Sequence, residues 1–403
     1  MHSWLHRARA RHSDRTAIEG PGRSLSYAEL AEEAQRAAGA FSIGQRVPLA
    51  NEDRLEFAIA LHGCLLAQAA AVPIDLRLSR AEQAERVASG MATERAEVAT
   101  VMHTSGTTSA PKPVELTYAN WEANALGSAV MLGLDQQERW LCVMPLAHVG
   151  GLSILLRSTI YATTAVVHER FDTEAVLNEL MDPHRAISLV SLVPTMLARL
   201  LDAGLRRPPT LRWALLGGGP IPAPLLERAQ AAVVPVAPTY GMTEGCSQIA
   251  TYGLPLPGVE LRTVEGELWV RGPIVAPGAL AEDGWLHTGD LADLDGDGRL
   301  TIIGRASETI VSGGENVAPA EVEAALLEHP AVAEAGVFAR PDAEWGEAVT
   351  ARVVLRDGSV VTEEVLRDWC RSRLAAFKVP KQVEFARDLP RTVSGKLLRR
   401  QLS

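Results

Sequence analysis

The sequence predicts an α/β protein: a large N-terminal domain of layered α/β subdomains that ends in a β-rich subdomain, followed by a small α+β C-terminal domain. Three observations predict it. Short apolar runs alternate with helix-periodic stretches through the first 250 or so residues, the pattern of a largely parallel sheet with crossover helices. Beyond about residue 255 the chain changes to short strands split by Gly and Asp turns. From residue 306 onward it changes again, to a mixture of helices and strands with a basic tail. At 403 residues the chain is too long for one compact core, so two or more domains are expected.

Taken in order, residues 26–40 (SYAELAEEAQRAAGA) have helical periodicity behind a Ser start. Residues 54–70 read as a second helix, VPID (72–75) as a short strand, and the charged, Ala-rich 79–96 as a surface helix. A strand over 97–103 leads into the polar loop TSGTTSAPKP (104–113). Strands at 139–144, 163–167, 187–190, 211–216 and 234–237 then alternate with helices at 172–181, 194–203 and 222–232. The stretches 258–272 and 284–305 supply the β-rich subdomain. The final unit has helices at 318–329 and 362–375 with strands near 332–339 and 348–355. Asp293 to Gly298 (DLDGDG) opens like a calcium-binding loop, but the twelfth position is Gly304, where a bidentate Glu is needed, so it reads as a hairpin turn.

Composition narrows the function. A net charge of −10 argues against a nucleic-acid partner, which would need a basic face, but leaves room for a locally positive pocket. Cys64, Cys142, Cys246 and Cys370 lie far apart, with neither disulfide nor zinc spacing, which points to a reducing compartment. The N-terminus lacks the apolar stretch of a secretory signal, and no segment reads as a membrane span, so a cytoplasmic enzyme is expected. Oligomerisation is left open. Of the 39 basic residues only Lys112, Lys378, Lys381 and Lys396 are Lys; where Arg serves so widely, a retained Lys suggests a need for its compact ammonium.

The loop 104–113 follows a strand and offers five hydroxyl side chains, a flexible Gly and Lys112 to an oligophosphate; it lacks the GxxxxGK[ST] spacing of a Walker loop. In sequence order, TSGTTSAPKP, YGMTE (240–244), HTGD (287–290), GRASETIVSGGENVAP (304–319) and RTVSGK (391–396) resemble the adenylate-forming family of acyl-CoA synthetases and adenylation domains. The resemblance runs over nearly the whole chain. It implies ATP and Mg²⁺ as cofactors, coenzyme A as co-substrate, an acyl-AMP intermediate, an N-terminal AMP-binding domain over 1–305 with a shortened first subdomain, and a mobile C-terminal domain over 306–403.

The same resemblance assigns roles. Thr104, Ser105, Gly106, Thr107, Thr108 and Lys112 form the phosphate loop. Gly217, Gly218, Gly219 and Pro220 let the backbone approach the adenine. Tyr240, with Gly241 and Met242, packs on the base, Thr243 bonds the α-phosphate, and Glu244 is a hard oxygen ligand for Mg²⁺. Asp290 and Arg305 take the ribose hydroxyls. Lys396 reaches the α-phosphate and the attacking carboxylate, offsetting the repulsion between two anions. Gly313 and Gly314 serve the thioester step after the C-terminal domain turns. The stretches 145–164, 191–197 and 241–248 resemble 2-succinylbenzoate–CoA ligases of menaquinone biosynthesis. That implies a pocket in which Arg157 binds a second substrate carboxylate, Ser247 bonds the substrate and His148 gates the pocket. A ligase for another aryl or short branched acid, and a silent adenylate-binding scaffold, are the competing readings. Three departures stand out: Ser109 and Pro113 replace the usual Gly residues of the loop, and the hinge position two residues after Arg305 is Ser307 rather than Asp or Lys.

Overall fold

The computed structural model describes residues 3–91, 95–104, 112–391 and 397–402. The chain forms two compact units: one of residues 1–218, 229–260 and 270–286, the other of 219–228, 261–269 and 287–403.

The first unit is organised by a nine-stranded sheet. Its order is Leu254–Pro255, Ser247–Thr251, Val236–Met242, Trp213–Leu216, Leu189–Leu192, Arg139–Cys142, Thr164–Val167, Thr16–Gly20, Arg23–Ser26. The run from Val236–Met242 to Thr16–Gly20 is parallel. The pairs at either end are antiparallel. Strands such as Leu189–Leu192 and Thr164–Val167 are buried along their whole length, as expected of parallel strands covered on both faces. The predicted alternation is therefore present, with most strands starting one or two residues later than expected. Val236–Met242 runs five residues beyond its expected end and so carries Tyr240 on a strand.

A second, four-stranded sheet has the order Arg46–Leu49, Ala70–Pro73, Val98–His103, Pro113–Thr117. Helix Tyr27–Ala38 starts at a capping box in which Ser26 and Glu29 satisfy each other's backbone N–H groups. Helix Arg54–Leu66, capped by Asp53, stops four residues short of expectation; Gln68, with φ of 56°, turns the chain into strand Ala70–Pro73. The expected surface helix spans Arg80–Gly90, behind an N-cap at Ser79. Helix Trp4–His12 and the hairpin Thr16–Gly20/Arg23–Ser26 have no counterpart in the sequence reading, although Pro21-Gly22 is a turn signal and Gly22 has φ of 74°.

The β-rich region is a four-stranded sheet, Glu260–Val264, Glu267–Arg271, Leu286–Leu294, Leu300–Arg305. The Asp-rich segment is the turn between the last two antiparallel strands: Asp295 Oδ1 accepts from Asp297 N and Arg299 N at 2.9 Å each, which is a hairpin and not a calcium loop. The last sheet pairs Val332–Asp342 with Gly346–Leu355, flanked by Ile310–Ser312, Glu315–Val317 and Gln382–Ala386. Helices Pro319–Leu327 and Glu363–Arg371 bury Val322, Leu326, Leu366 and Cys370 against it.

Candidate active site

In an open α/β sheet the carboxyl ends of the parallel strands form the natural crevice for a ligand. The predicted segments leave the first unit's sheet at those ends. Strand Trp213–Leu216 ends at Gly217-Gly218, Val236–Met242 carries Tyr240 and leads to Thr243-Glu244, Arg139–Cys142 leads to Pro145–His148, and Leu189–Leu192 leads to Pro194. The order of the strands thus gathers segments from four parts of the sequence.

Backbone geometry in this region is tight. A Cβ on Gly217 would lie 2.8 Å from the carbonyl oxygen of Thr239, and one on Gly241 would lie 1.6 Å from that of Ser247, so neither position admits a side chain. At Gly219, by contrast, a Cβ would meet nothing within 4 Å, so packing within the protein does not explain the glycine there. Cys246 and Ser247 both hold left-handed φ, 55° and 89°, a strained pair of the kind that collects at ligand sites. Tyr240 is half-buried, its hydroxyl 3.9 Å from Met242 Sδ. Glu244 is half-buried, and its carboxylate has no hydrogen bond or ion pair among the described residues, while its carbonyl accepts from Ala276 N at 2.8 Å. A carboxylate left unpaired in this way suits Mg²⁺, which keeps most of its shell as water and substrate phosphate and needs few protein ligands. No group of three or more His, Cys, Asp or Glu residues able to hold a metal occurs among the described residues.

The phosphate-loop residues Ser105, Gly106, Thr107 and Thr108 lie outside the described residues, as does Lys396. The loop's neck is described: His103 pairs with Pro113 across the antiparallel strands, and Thr104 N donates to Lys112 O at 3.2 Å. Lys112 is exposed.

In the acyl region, Arg157 is 2% exposed on helix Val149–Tyr161. Its NH2 donates to Asn124 Oδ1 at 2.5 Å, and its guanidinium lies 5.6 Å from the centre of the Trp140 ring. Its Nε has no partner, and no carboxylate of the described residues pairs with it. Burial pushes its pKa down, while Tyr161 and Cys246 push the other way. Asn124 is held from its other end, Nδ2 donating to Gln248 O at 2.8 Å. Ser247 thus stands at the start of the segment to which Asn124 is anchored.

His148 is the N-cap of helix Val149–Tyr161 but makes no capping hydrogen bond with its side chain. Its Nε2 lies 3.2 Å from Arg77 NH2. Arg77 forks onto Asp75, Nε to Oδ1 at 2.7 Å and NH2 to Oδ2 at 2.6 Å, and its backbone N also donates to Oδ1 at 3.1 Å. Burial pushes the Asp75 carboxyl up, but the Arg77 hydrogen bonds and charge outweigh it and hold the pKa below the usual range. Burial pushes His148 down; Asp75 opposes this and the charges of Arg77 and Arg86 reinforce it. Asp75, Arg77 and Asn124 were not foreseen as site residues. The Asp-Leu-Arg spacing of an Asx turn and an Asn in the interior of the largely apolar stretch 118–132 were the available signals.

In the second unit, Asp290 and Arg305 face each other across antiparallel strands, with Arg305 Nε 2.7 Å from Asp290 Oδ1. Arg305 NH1 also donates to Thr288 O at 3.1 Å. Asp290 is buried, its backbone N donates to Thr288 Oγ1 at 3.1 Å, and the Arg305 ion pair orients its carboxylate. Pro220 lies in this unit and is exposed. Gly313 and Gly314 form the two-residue tip of hairpin Ile310–Ser312/Glu315–Val317 with φ of 62° and 85°, the pair of left-handed residues a tight hairpin turn requires.

Comparison with known proteins gives the chain its family. The AMP-binding enzyme profile matches residues 5–93 and 87–280, and the AMP-binding enzyme C-terminal domain matches 321–396. A 2-succinylbenzoate–CoA ligase of Bacillus licheniformis is 38% identical over 476 aligned positions, covering 99% of each chain. One of Bacillus subtilis is 37% identical over 475, covering 99% of this chain and 97% of the relative. Both alignments are longer than this chain, so these relatives carry segments that it lacks. Among solved structures, o-succinylbenzoate CoA synthetase (MenE) from Bacillus subtilis in complex with the acyl-adenylate intermediate OSB-AMP has a TM-score of 0.89 at 35% identity, covering 100% of this chain and 98% of that one. The same enzyme with ATP and magnesium ion also has a TM-score of 0.89 at 35% identity, covering 99% of each. With profile matches along most of its length and full-length relatives well above 30% identity, the chain belongs to the AMP-binding enzyme family.

Proposed function

We propose that this chain is an AMP-forming acid–CoA ligase whose acid is 2-succinylbenzoate. A carboxylate oxygen of the acid attacks the α-phosphorus of ATP and pyrophosphate leaves, giving the acyl-AMP. The thiol sulfur of coenzyme A then attacks the acyl carbon and AMP leaves, giving the thioester. Relatives named for this reaction, and a structural neighbour bound to the acyl-adenylate, support the reading.

The observation that carries the choice of acid is Arg157. A buried guanidinium with an unsatisfied Nε and no carboxylate partner is costly unless something supplies the counter-charge. An acid with two carboxylates does so, one reacting and the other held by Arg157, while Asn124 keeps the guanidinium aimed. Ser247 adds a hydroxyl beside this segment.

In the adenylation step, Tyr240 packs on the base beside Gly217, Gly218 and Gly219, and Thr243 bonds the α-phosphate. Asp290 and Arg305 take the ribose hydroxyls, and Lys112 with residues 104–108 takes the outer phosphates. Mg²⁺, held through Glu244, would supply positive charge against the phosphates. Lys396 offsets the charge that builds as the two anions meet. We assign residues 1–305 to the nucleotide-binding domain and 306–403 to a C-terminal domain that turns about Ala306–Ser307, bringing Gly313 and Gly314 to the thioester step. Strand Leu300–Arg305 ends there and Ser307 is exposed. Four free, buried cysteines fit a cytoplasmic setting, and no described helix is long and apolar enough to cross a membrane.

The test is exchange of labelled pyrophosphate into ATP with a panel of acids. Exchange with 2-succinylbenzoate and little with benzoate is the expected result; the reverse would overturn the choice of acid. Lys396→Ala is expected to cut exchange by about 10² or more with the fold intact. A variant as fast as the parent would remove Lys396 from its role.

A further inference from the structure

We propose that Arg77, itself clamped by Asp75, is a positioning residue that fixes His148 as the neutral Nδ1–H tautomer, so that the ring offers the acyl substrate a hydrogen-bond donor and not an acceptor. A guanidinium has five donors and no acceptor. With Arg77 NH2 3.2 Å from His148 Nε2, that nitrogen must present its lone pair. A proton on Nε2 would point at another N–H. The proton of the neutral ring is then on Nδ1.

Asp75 does not offer Nε2 a way out. Its Oδ2 is 3.6 Å from Nε2, beyond a good hydrogen bond, and its oxygens already accept three donors from Arg77. Among the described residues the charged groups acting on the ring are Asp75, Arg77 and Arg86, two cations against one anion. The opposite edge of the ring is uncommitted: Nδ1 makes no hydrogen bond to any described residue and does not cap the helix that His148 begins. A helix start normally selects Ser, Thr, Asp or Asn, so a His that does not cap is placed there for another purpose. Helix Val149–Tyr161 also carries Arg157, so the two groups assigned above to the acid stand on one rigid element.

The chemical consequence is definite. An Nδ1–H already carrying its proton cannot serve as a general base at that atom. It can donate to an oxygen of the acid or to the carbonyl oxygen of the acyl-AMP, where negative charge grows as the thiol attacks. This extends the acid-activation reading and rests on it only for its kinetic consequences; the protonation pattern of the ring is independent of any substrate.

The experiment labels histidine nitrogens in the full-length protein and records long-range nitrogen–proton correlations at pH 7.5, with His148→Asn identifying the His148 signals. The neutral Nδ1–H pattern is expected in the parent. It is expected to persist in Arg77→Lys, which is also donor-only, and to be lost in Arg77→Met. A merely structural Arg77 would lower thermal stability without moving these signals. In pyrophosphate exchange, His148→Asn places an amide N–H near Nδ1 and is expected within about fivefold of the parent. His148→Gln places it near Nε2 and is expected to be at least about tenfold slower. An Nε2–H or doubly protonated ring in the parent, or His148→Gln faster than His148→Asn, would overturn the inference. If no acid supports exchange by the parent, the acid-activation reading fails, and the nitrogen spectrum still decides the tautomer.

Discussion

Arg46 and Arg157 are both nearly sealed from solvent, at 3% and 2% exposure, yet they are built differently. Arg46 donates to Glu115 at 2.5 Å and to Gly90 O at 2.9 Å, so its charge is answered within the sheet it supports. Arg157 has a neutral amide, an aromatic face and an empty Nε. The histidines repeat the contrast. Both ring nitrogens of His62 are engaged, by Ala58 O at 2.7 Å and Thr159 Oγ1 at 2.9 Å, whereas His148 is held at one nitrogen only. A buried polar group whose bonds close within the chain serves the fold. One held from one side, as Arg157 and His148 are, keeps a valence that a ligand could fill.

Exchanging the two kinds of arginine for a hydrophobic residue tests this division. Arg157→Met is expected to lower kcat/KM for 2-succinylbenzoate by about 10²–10³, in line with losing about 3–4 kcal/mol of a buried ion pair. It should leave the melting temperature nearly unchanged or raised, because no acid in the protein loses a partner. Arg46→Met is expected to do the opposite, costing about 3 kcal/mol in denaturant titration, the lower end for stranding one member of a buried pair, with activity following only the folded fraction. If Arg157→Met were the more destabilising of the two, the distinction drawn here would be wrong.

A smaller effect sharpens the same comparison. Asn124→Leu releases the guanidinium without removing it, and about tenfold lower kcat/KM for the acid is expected, with the KM for ATP unaltered in steady-state assays. The smallest is a pH effect. Burial pushes His62 down to about 4, against a backbone hydrogen bond that opposes it. Its folded pKa is depressed relative to about 6.5 in the unfolded chain, so its contribution is complete above pH 6.5 and is lost as pH falls towards 4. Between pH 7 and pH 5.5 this amounts to about 1 kcal/mol, and His62→Phe should flatten the stability–pH curve by that amount in chemical denaturation.

What could be read from the sequence follows the physics of each region. The buried parallel strands were legible because burial on both faces leaves unbroken apolar runs, as at Leu189–Leu192. Helix Trp4–His12 was not, since its stretch RARARH hides the three buried positions Trp4, Leu5 and Ala8. The family was legible as ordered blocks from TSGTTSAPKP to RTVSGK. The grip on His148 was not, because Asp75 and Arg77 lie 73 and 71 positions before it and only the folded sheets bring them together. Asn124 was missed for a similar reason: its partner Arg157 is 33 positions away on another helix, and neither helix was among the predicted elements.

The nine-stranded sheet finishes at one margin in the two-residue strand Leu254–Pro255 and at the other in the four-residue Arg23–Ser26, which begins with a charged side chain. A proline supplies no backbone donor, and a short, charged border gives a stray strand little to grip. A wide, strongly apolar sheet is thereby kept from growing by recruiting neighbouring copies. Lengthening either margin with alternating Val and Thr would therefore offer another copy a longer row of unpaired backbone groups to join.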